Sequence, residues 1–166
     1  MVQVKNFKIR PSLVSDATYL YNWLMDKSII QWFPMCNKLE VDDAVNISMS
    51  YIQYNAAITA ISDNIPCGFA NLYLHFNEKL KHQALFVIIV DPLFRGKGVG
   101  TEIIKELFKM AKNQFNIELL HLEVYEGNPA KKLYERLGFV EYGVHKKFLK
   151  DLDGKYYDKI LMQKLL

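Results

Sequence analysis

Residues 91 to 101 read DPLFRGKGVGT, with glycines at 96, 98 and 100 and two cations, Arg95 and Lys97, among them. Positions without a Cβ let a ligand reach main-chain N–H groups and admit left-handed backbone angles. Ile103, Ile104, Leu107, Phe108, Ala111 and Phe115 follow at helical spacing, which predicts an amphipathic helix whose positive end starts at this loop. Bare amides, a helix N-terminus and nearby cations suit an anion, above all a phosphate. Two nucleotide-binding patterns fail on spacing. The stretch GKGVGT lacks the Gly-Lys-Ser/Thr ending of a triphosphate loop. The dinucleotide fingerprint, Gly-x-Gly-x-x-Gly early in a parallel unit, is not met by glycines two apart at mid-chain. Taken alone, the loop is equally readable as a glycine-rich turn with no ligand.

The elements that would hold this loop follow from periodicity and breakers. VQVKNFKI alternates and predicts a strand, and SDATYLYNWLMD places Ala17, Leu20, Tyr21 and Leu24 on one helical face, with Ser15 or Asp16 as cap. VDDAVNISMSYIQ puts Val41, Ala44, Val45, Ser48 and Ile52 at helical spacing behind acids that suit a helix start. AAITAIS and CGFANLYLHF flank the turn DNIP and predict a hairpin, and QALFVIIVD predicts a buried strand leading into the glycine loop. Beyond the central helix, ELLHLEVY predicts a strand. NPAKKLYERLGF predicts a short helix with Asn128 as cap, Pro129 as first helical residue and Gly138 at its end. Residues 139–165 predict two strands around Asp153-Gly154. The order is βααβββαβαββ, an α/β arrangement around a mixed sheet in one domain spanning 1–166.

Composition removes several function classes. A chain of 166 residues, half of it apolar, can bury a core without metals or disulfides. Cys36 and Cys67 stand far apart without paired spacing, so two half-buried thiols in a reducing, cytoplasmic setting are expected rather than a disulfide or zinc cluster. The four histidines, at 75, 82, 121 and 145, show no metal-ligand spacing and are expected as surface or satisfied polar residues, contact of His75 and His82 with a substrate being the lesser alternative. The net charge of +3 is too small and too evenly spread for a nucleic-acid stripe. ALFVIIV, the longest apolar run, is too short to span a bilayer, so neither nucleic acid nor membrane is an expected partner.

Arg95-x-x-Gly98-x-Gly100 after a strand ending in VDP resembles the R/Q-x-x-G-x-G/A signature of the GNAT superfamily of acyl-CoA-dependent N-acetyltransferases, and LEVYEGNPAKKLYERLGF resembles its second signature. The specific resemblance covers about residues 84 to 142, and the N-terminal layout is similar to the branch that acetylates ribosomal proteins, spermidine and amino sugars. It implies a mixed, mostly antiparallel central sheet flanked by helices and acetyl-CoA as co-substrate, with no metal. By the same resemblance, main-chain amides from Arg95 through Gly96, Lys97, Gly98 and Val99 to Gly100 would cradle the pyrophosphate. The backbone of Ile88, Ile89 and Val90 would pair with pantetheine, and one of those amides would polarise the thioester carbonyl. Tyr134 would be the acid that protonates the leaving thiolate, and Glu123, expected as a buried carboxylate, or a water chain would take the amine proton. The family pattern places Asn one residue earlier relative to Tyr134, where Gly127 stands, so Asn128 is carried over as a pantetheine contact on its spacing from Glu123. Trp32 and Phe33 would line the acceptor pocket. A small-molecule amine or a protein N-terminus would be the acceptor, and a homodimer through the C-terminal strands is among the assemblies this resemblance allows. The alternative is a non-catalytic acyl-CoA-binding module that has kept the loop and lost the chemistry.

Overall fold

The computed structural model describes residues 7–166, so the part of the first expected strand before Phe7 lies outside the described residues. In chain order the elements are β1 (Phe7–Pro11), α1 (Ala17–Met25), α2 (Lys27–Ile30), α3 (Lys38–Ser50), β2 (Ala57–Ser62), β3 (Ile65–Leu74), β4 (Gln83–Val90), α4 (Val99–Phe115), β5 (Leu119–Tyr125), α5 (Ala130–Arg136), β6 (Val140–Lys150) and β7 (Tyr156–Leu165). The expected order holds, with one addition. α2 is a single turn inside the segment KSIIQWFPMCNK, started by the Asp26 carboxylate accepting from the Ser28 N–H at 2.8 Å.

The seven strands form one sheet in the order β1-β2-β3-β4-β5-β7-β6. Every neighbouring pair is antiparallel except β4 with β5. The β4-α4-β5 crossover makes that parallel pair, and the final hairpin inserts β7 between β5 and β6. The β2–β3 turn puts Asp63 and Asn64 at φ 49° and 65°, the paired left-handed angles that match strand twist in a two-residue hairpin. β3 therefore begins at Ile65 rather than Cys67, and it ends at Leu74, leaving His75 and Phe76 outside it.

Strand alternation gives the sheet a core on each face. Ala70 and Leu72 of β3 pack towards α4, whose Val99, Ile103, Ile104 and Leu107 are buried. Phe69 of β3 and Ile89 of β4 pack towards α1 and α3, against Leu20, Leu24, Val41 and Val45. Each large aliphatic side chain removed from water contributes about 1.5–3 kcal/mol before entropy is charged against it. The hydrophobic effect thus holds α4 on one face and α1–α3 on the other.

The helix starts differ from expectation. Neither Ser15 nor Asp16 caps α1 with its side chain. The Asp16 carboxylate accepts instead from both Arg10 guanidinium nitrogens at 2.8 Å, from the Leu13 N–H at 2.9 Å and from the Thr59 hydroxyl at 2.8 Å. It ties the start of α1 to β1 and β2. In α3 the acids sit inside the helix rather than before it, because Asn37 is the cap, accepting from the Glu40 N–H at 3.0 Å. Ile52 falls beyond the end of α3. α5 ends as its Gly138 predicts: at φ 87° this residue lets the Phe139 N–H reach back to the Tyr134 carbonyl at 3.0 Å. The cysteines are not both half-buried, since Cys36 is exposed and Cys67 is buried, which pushes the Cys67 thiol up to about 11.

Burial alone would raise the Asp16 carboxyl, but the hydrogen bonds from Arg10, Leu13 and Thr59 outweigh it and hold the group below the usual carboxylate range. A carboxyl that titrates lower when folded stabilises the fold above the unfolded pKa of about 4, and that contribution disappears as acid carries the folded group through its own titration. Asp16→Asn is expected to lower stability by about 2 kcal/mol at neutral pH. Urea midpoints for the two proteins should converge as acid protonates the folded Asp16 carboxyl, below the unfolded pKa.

Candidate active site

β4 and β5 are joined by three residue pairs, Gln83 with Leu119, Ala84 with Leu120 and Leu85 with His121. Beyond that point each strand is held only from its outer side. Phe86–Val90 stays laddered to β3 from Leu72 to Gly68, and Leu122–Tyr125 to β7 from Met162 to Lys159. Tyr134 of α5 sits under the opening with its ring edge-on to Phe86, centroids 6.2 Å apart, and Phe139 packs against both rings.

The gap opens into a cavity of about 800 Å³, the size of sites that take drug-sized ligands. One end is the glycine loop. Asp91 shapes its entry, accepting from the Leu93 N–H at 2.8 Å and from the Trp23 indole N–H at 3.1 Å. Gly96 and Gly98 then adopt φ 71° and 88°, angles that disfavour any side chain, and the space where a Cβ would point is open at both. α4 starts at Val99 with no side-chain cap on Gly98. Among the described residues, the amides of Gly96 through Thr101 donate to no protein acceptor. They form a donor row at the positive end of a five-turn helix. Gly100 has a second reason to be bare, because a Cβ there would lie 3.1 Å from Leu133 of α5.

Arg95 lines the cavity at this end and so does Arg136 of α5, whereas Lys97 does not. The Lys97 ammonium lies 5.2 Å from the Phe94 ring centroid instead. Ile88, Ile89, Val90 and Val99 line the same space. Asn128 also lines it, but its side-chain oxygen is committed to the Ala130 N–H at 2.9 Å, at the start of α5. This leaves its NH2 as the group available to a ligand.

Tyr134 is buried, lines the cavity and makes no side-chain hydrogen bond to protein among the described residues. Burial pushes its hydroxyl far above the ordinary tyrosine value, so it stays protonated and has an O–H to donate. Glu123 is placed in the cavity wall but is not the buried carboxylate expected from sequence. Its side chain is 44% exposed, and its carboxylate meets the Lys159 ammonium at 2.9 Å. The cause is the β5–β7 pairing, which sets Lys159 beside the outer half of β5. Trp32 and Phe33 line the same cavity, together with Met35 and Tyr73. His75 and His82 do not line it.

The sequence profile described as the Acetyltransferase (GNAT) family matches residues 17–139. The chain belongs to the GNAT acetyltransferase family. It is 28% identical over 109 residues to the L-amino acid N-acetyltransferase AaaT of Escherichia coli, a stretch that is 65% of this chain and 67% of that enzyme. It is 31% identical over 102 residues to the ribosomal protein bS18-alanine N-acetyltransferase of Haemophilus influenzae, covering 61% of this chain and 66% of that enzyme. The structure of yncA from Salmonella typhimurium with its cofactor acetyl-CoA superposes on 98% of this chain and 95% of its own, with a TM-score of 0.82 at 16% identity. The mixed sheet and its flanking helices are the fold of that family.

Several residues of this acetyltransferase cavity escaped the sequence reading. Tyr125 was within reach of it, because strand alternation places position 125 on the same face as Glu123. Burial, then the charge of Glu123, pushes the Tyr125 hydroxyl up to about 12. Phe148 arrives from the β6–β7 hairpin and Arg136 from the last turn of α5, and no local pattern announces either.

Gly98→Ala should separate geometry from bulk at the loop. With open space at the Cβ position, the expected loss comes from forcing alanine to φ 88°, about 1–2 kcal/mol. A roughly 10-fold weaker Kd for acetyl-CoA by calorimetry is the corresponding outcome.

Proposed function

We propose that this chain is an N-acetyltransferase that moves the acetyl group of acetyl-CoA directly to a primary amine, both substrates being bound together. The observation that supports this most is the single cavity joining the bare amides of 96–101, the parted strands, Tyr134 and Glu123. Acetyl-CoA supplies an acetyl thioester. The row of N–H groups, with Arg95 and Arg136 beside it, suits a pyrophosphate. The inner edge of Phe86–Val90, without a strand partner, offers main-chain groups to an extended amide-bearing arm in the manner of an added strand.

An N–H on that edge is also placed to stabilise negative charge on the thioester carbonyl oxygen. As the amine nitrogen bonds to the acetyl carbon, the carbon–sulfur bond breaks and the electron pair leaves on sulfur. Tyr134 donates its hydrogen bond and then its proton to that sulfur, giving the free thiol, and recovers a proton from water. A thiol has a pKa of roughly 8.5, so the thiolate already leaves well and the donor assists rather than decides. The amine loses one proton on bonding, and Glu123 accepts it directly or through one water. The exposure of Glu123 lets the proton pass on to solvent, and the Lys159 contact fixes the carboxylate position.

The acceptor classes named for the two relatives, amino acids and a ribosomal-protein N-terminus, share the primary amine and little else. The transfer is tested by thiol release from acetyl-CoA over a panel of amines, with Tyr134→Phe alongside the native chain. The variant should bind acetyl-CoA as tightly but turn over about 100-fold more slowly. Tight binding with no thiol release on any amine would instead make the chain a coenzyme-binding module. Equal turnover by native and variant would remove Tyr134 from the chemistry.

A further inference from the structure

Resting on the acetyl-transfer reading above, we infer that the acceptor is a small primary amine carried on an apolar, preferably aromatic, body with no carboxylate and no second ammonium. Charge distribution in the cavity is the first ground. Of the residues lining it, those with charged side chains are Arg95 and Arg136, beside the glycine loop, and Glu123 on β5. Its uncharged walls include Leu24, Ile29, Phe33, Met35, Leu85 and Val87. A carboxylate seated there would meet no cation, and a second ammonium would meet no free carboxylate. Either would lose its hydration without compensation.

Glu123 does not alter this balance, because it already has a cation. The Lys159 ammonium lies 2.9 Å from its carboxylate and 3.7 Å from the centroid of the Phe148 ring, and the Lys159 side chain is only 12% exposed. The pair is locked between two partners.

Aromatic lining is the second ground. Trp32, Phe33, Tyr73, Tyr125 and Phe148 all border the cavity. Their ring faces attract an approaching ammonium before it loses its proton, and they stack well on a flat apolar body.

Size is the third ground. Trp32 reaches across to the loop after β5, so that its Cη2 atom lies 3.8 Å from where a Cβ of Gly127 would be. Gly127 has φ 86° and no side chain, and Asn128 follows it on the cavity wall. The indole therefore spans the wall between the α2 segment and the β5–α5 loop at the acceptor end. A long chain leaving the cavity there would have to displace Trp32, and a short amine would not.

The test is a comparison of kcat/KM by thiol release, using the full chain, acetyl-CoA and five amines. These are 2-phenylethylamine, L-phenylalanine, L-phenylalaninamide, spermidine and an alanine-initiated hexapeptide amide. L-Phenylalanine adds only a carboxylate to the first, and its amide replaces that charge with a neutral group. 2-Phenylethylamine should exceed L-phenylalanine and spermidine by about 100-fold, with L-phenylalaninamide falling between. Spermidine, L-phenylalanine or the hexapeptide at or above 2-phenylethylamine would overturn the inference and leave acetyl transfer standing. No thiol release with any of the five would overturn both. Trp32→Ala, checked for folding by circular dichroism, should cost about 10-fold on 2-phenylethylamine while raising the hexapeptide. An unchanged ratio of the two would remove Trp32 from acceptor selection.

Discussion

β4 and β5 remain hydrogen-bonded for three residue pairs and then part, although both strands continue. Every feature of the proposed site depends on that divergence. It exposes one main-chain edge of β4 in the middle of the sheet, where an unpaired edge would normally be a liability. The opening costs hydrogen bonds, and the aromatic packing of Tyr134, Phe86 and Phe139 offsets part of that cost by filling the base of the gap. A tyrosine that would be unremarkable in a core thereby packs against Phe86 and Phe139 and also lines the cavity.

Two further contacts hold the ends of the cavity in register. Asp16 fastens α1 to β1 and β2 through Arg10 and Thr59. The Trp23 indole, one helix face further along, donates to Asp91 where β4 turns into the glycine loop. Asp91 also accepts the Leu93 N–H and donates its own N–H to the Cys67 carbonyl. Helix α1 and the glycine loop thus share one carboxylate. A shift of α1 would be felt at the loop within a few ångströms.

The glycine loop was legible because its chemistry is local: residues 91 to 101 are contiguous, and the left-handed angles at 96 and 98 need glycine whatever surrounds them. Even there the reason for Gly100 was only half visible, since its close approach to Leu133 comes from the packing of α5. Lys97 looked equivalent to Arg95 in the sequence, yet the turn sends it over Phe94 and away from the cavity. Side-chain direction in an irregular loop is set by backbone angles that no periodicity encodes.

By itself, the order of residues determined the alternation of elements, the bare amides ahead of α4, the helical placement of Tyr134 and its ending at Gly138, because each depends on neighbours within one or two turns. Only the tertiary structure decided that β4 and β5 separate, that Glu123 is exposed and held by Lys159, and that Trp32, Tyr73 and Phe148 line one cavity. Those residues come from segments far apart in the chain. Their meeting is fixed by sheet order, where β7 enters beside β5 and the α1–α3 layer folds over the same face, and such pairings are chosen by the burial of the whole molecule rather than by any local run.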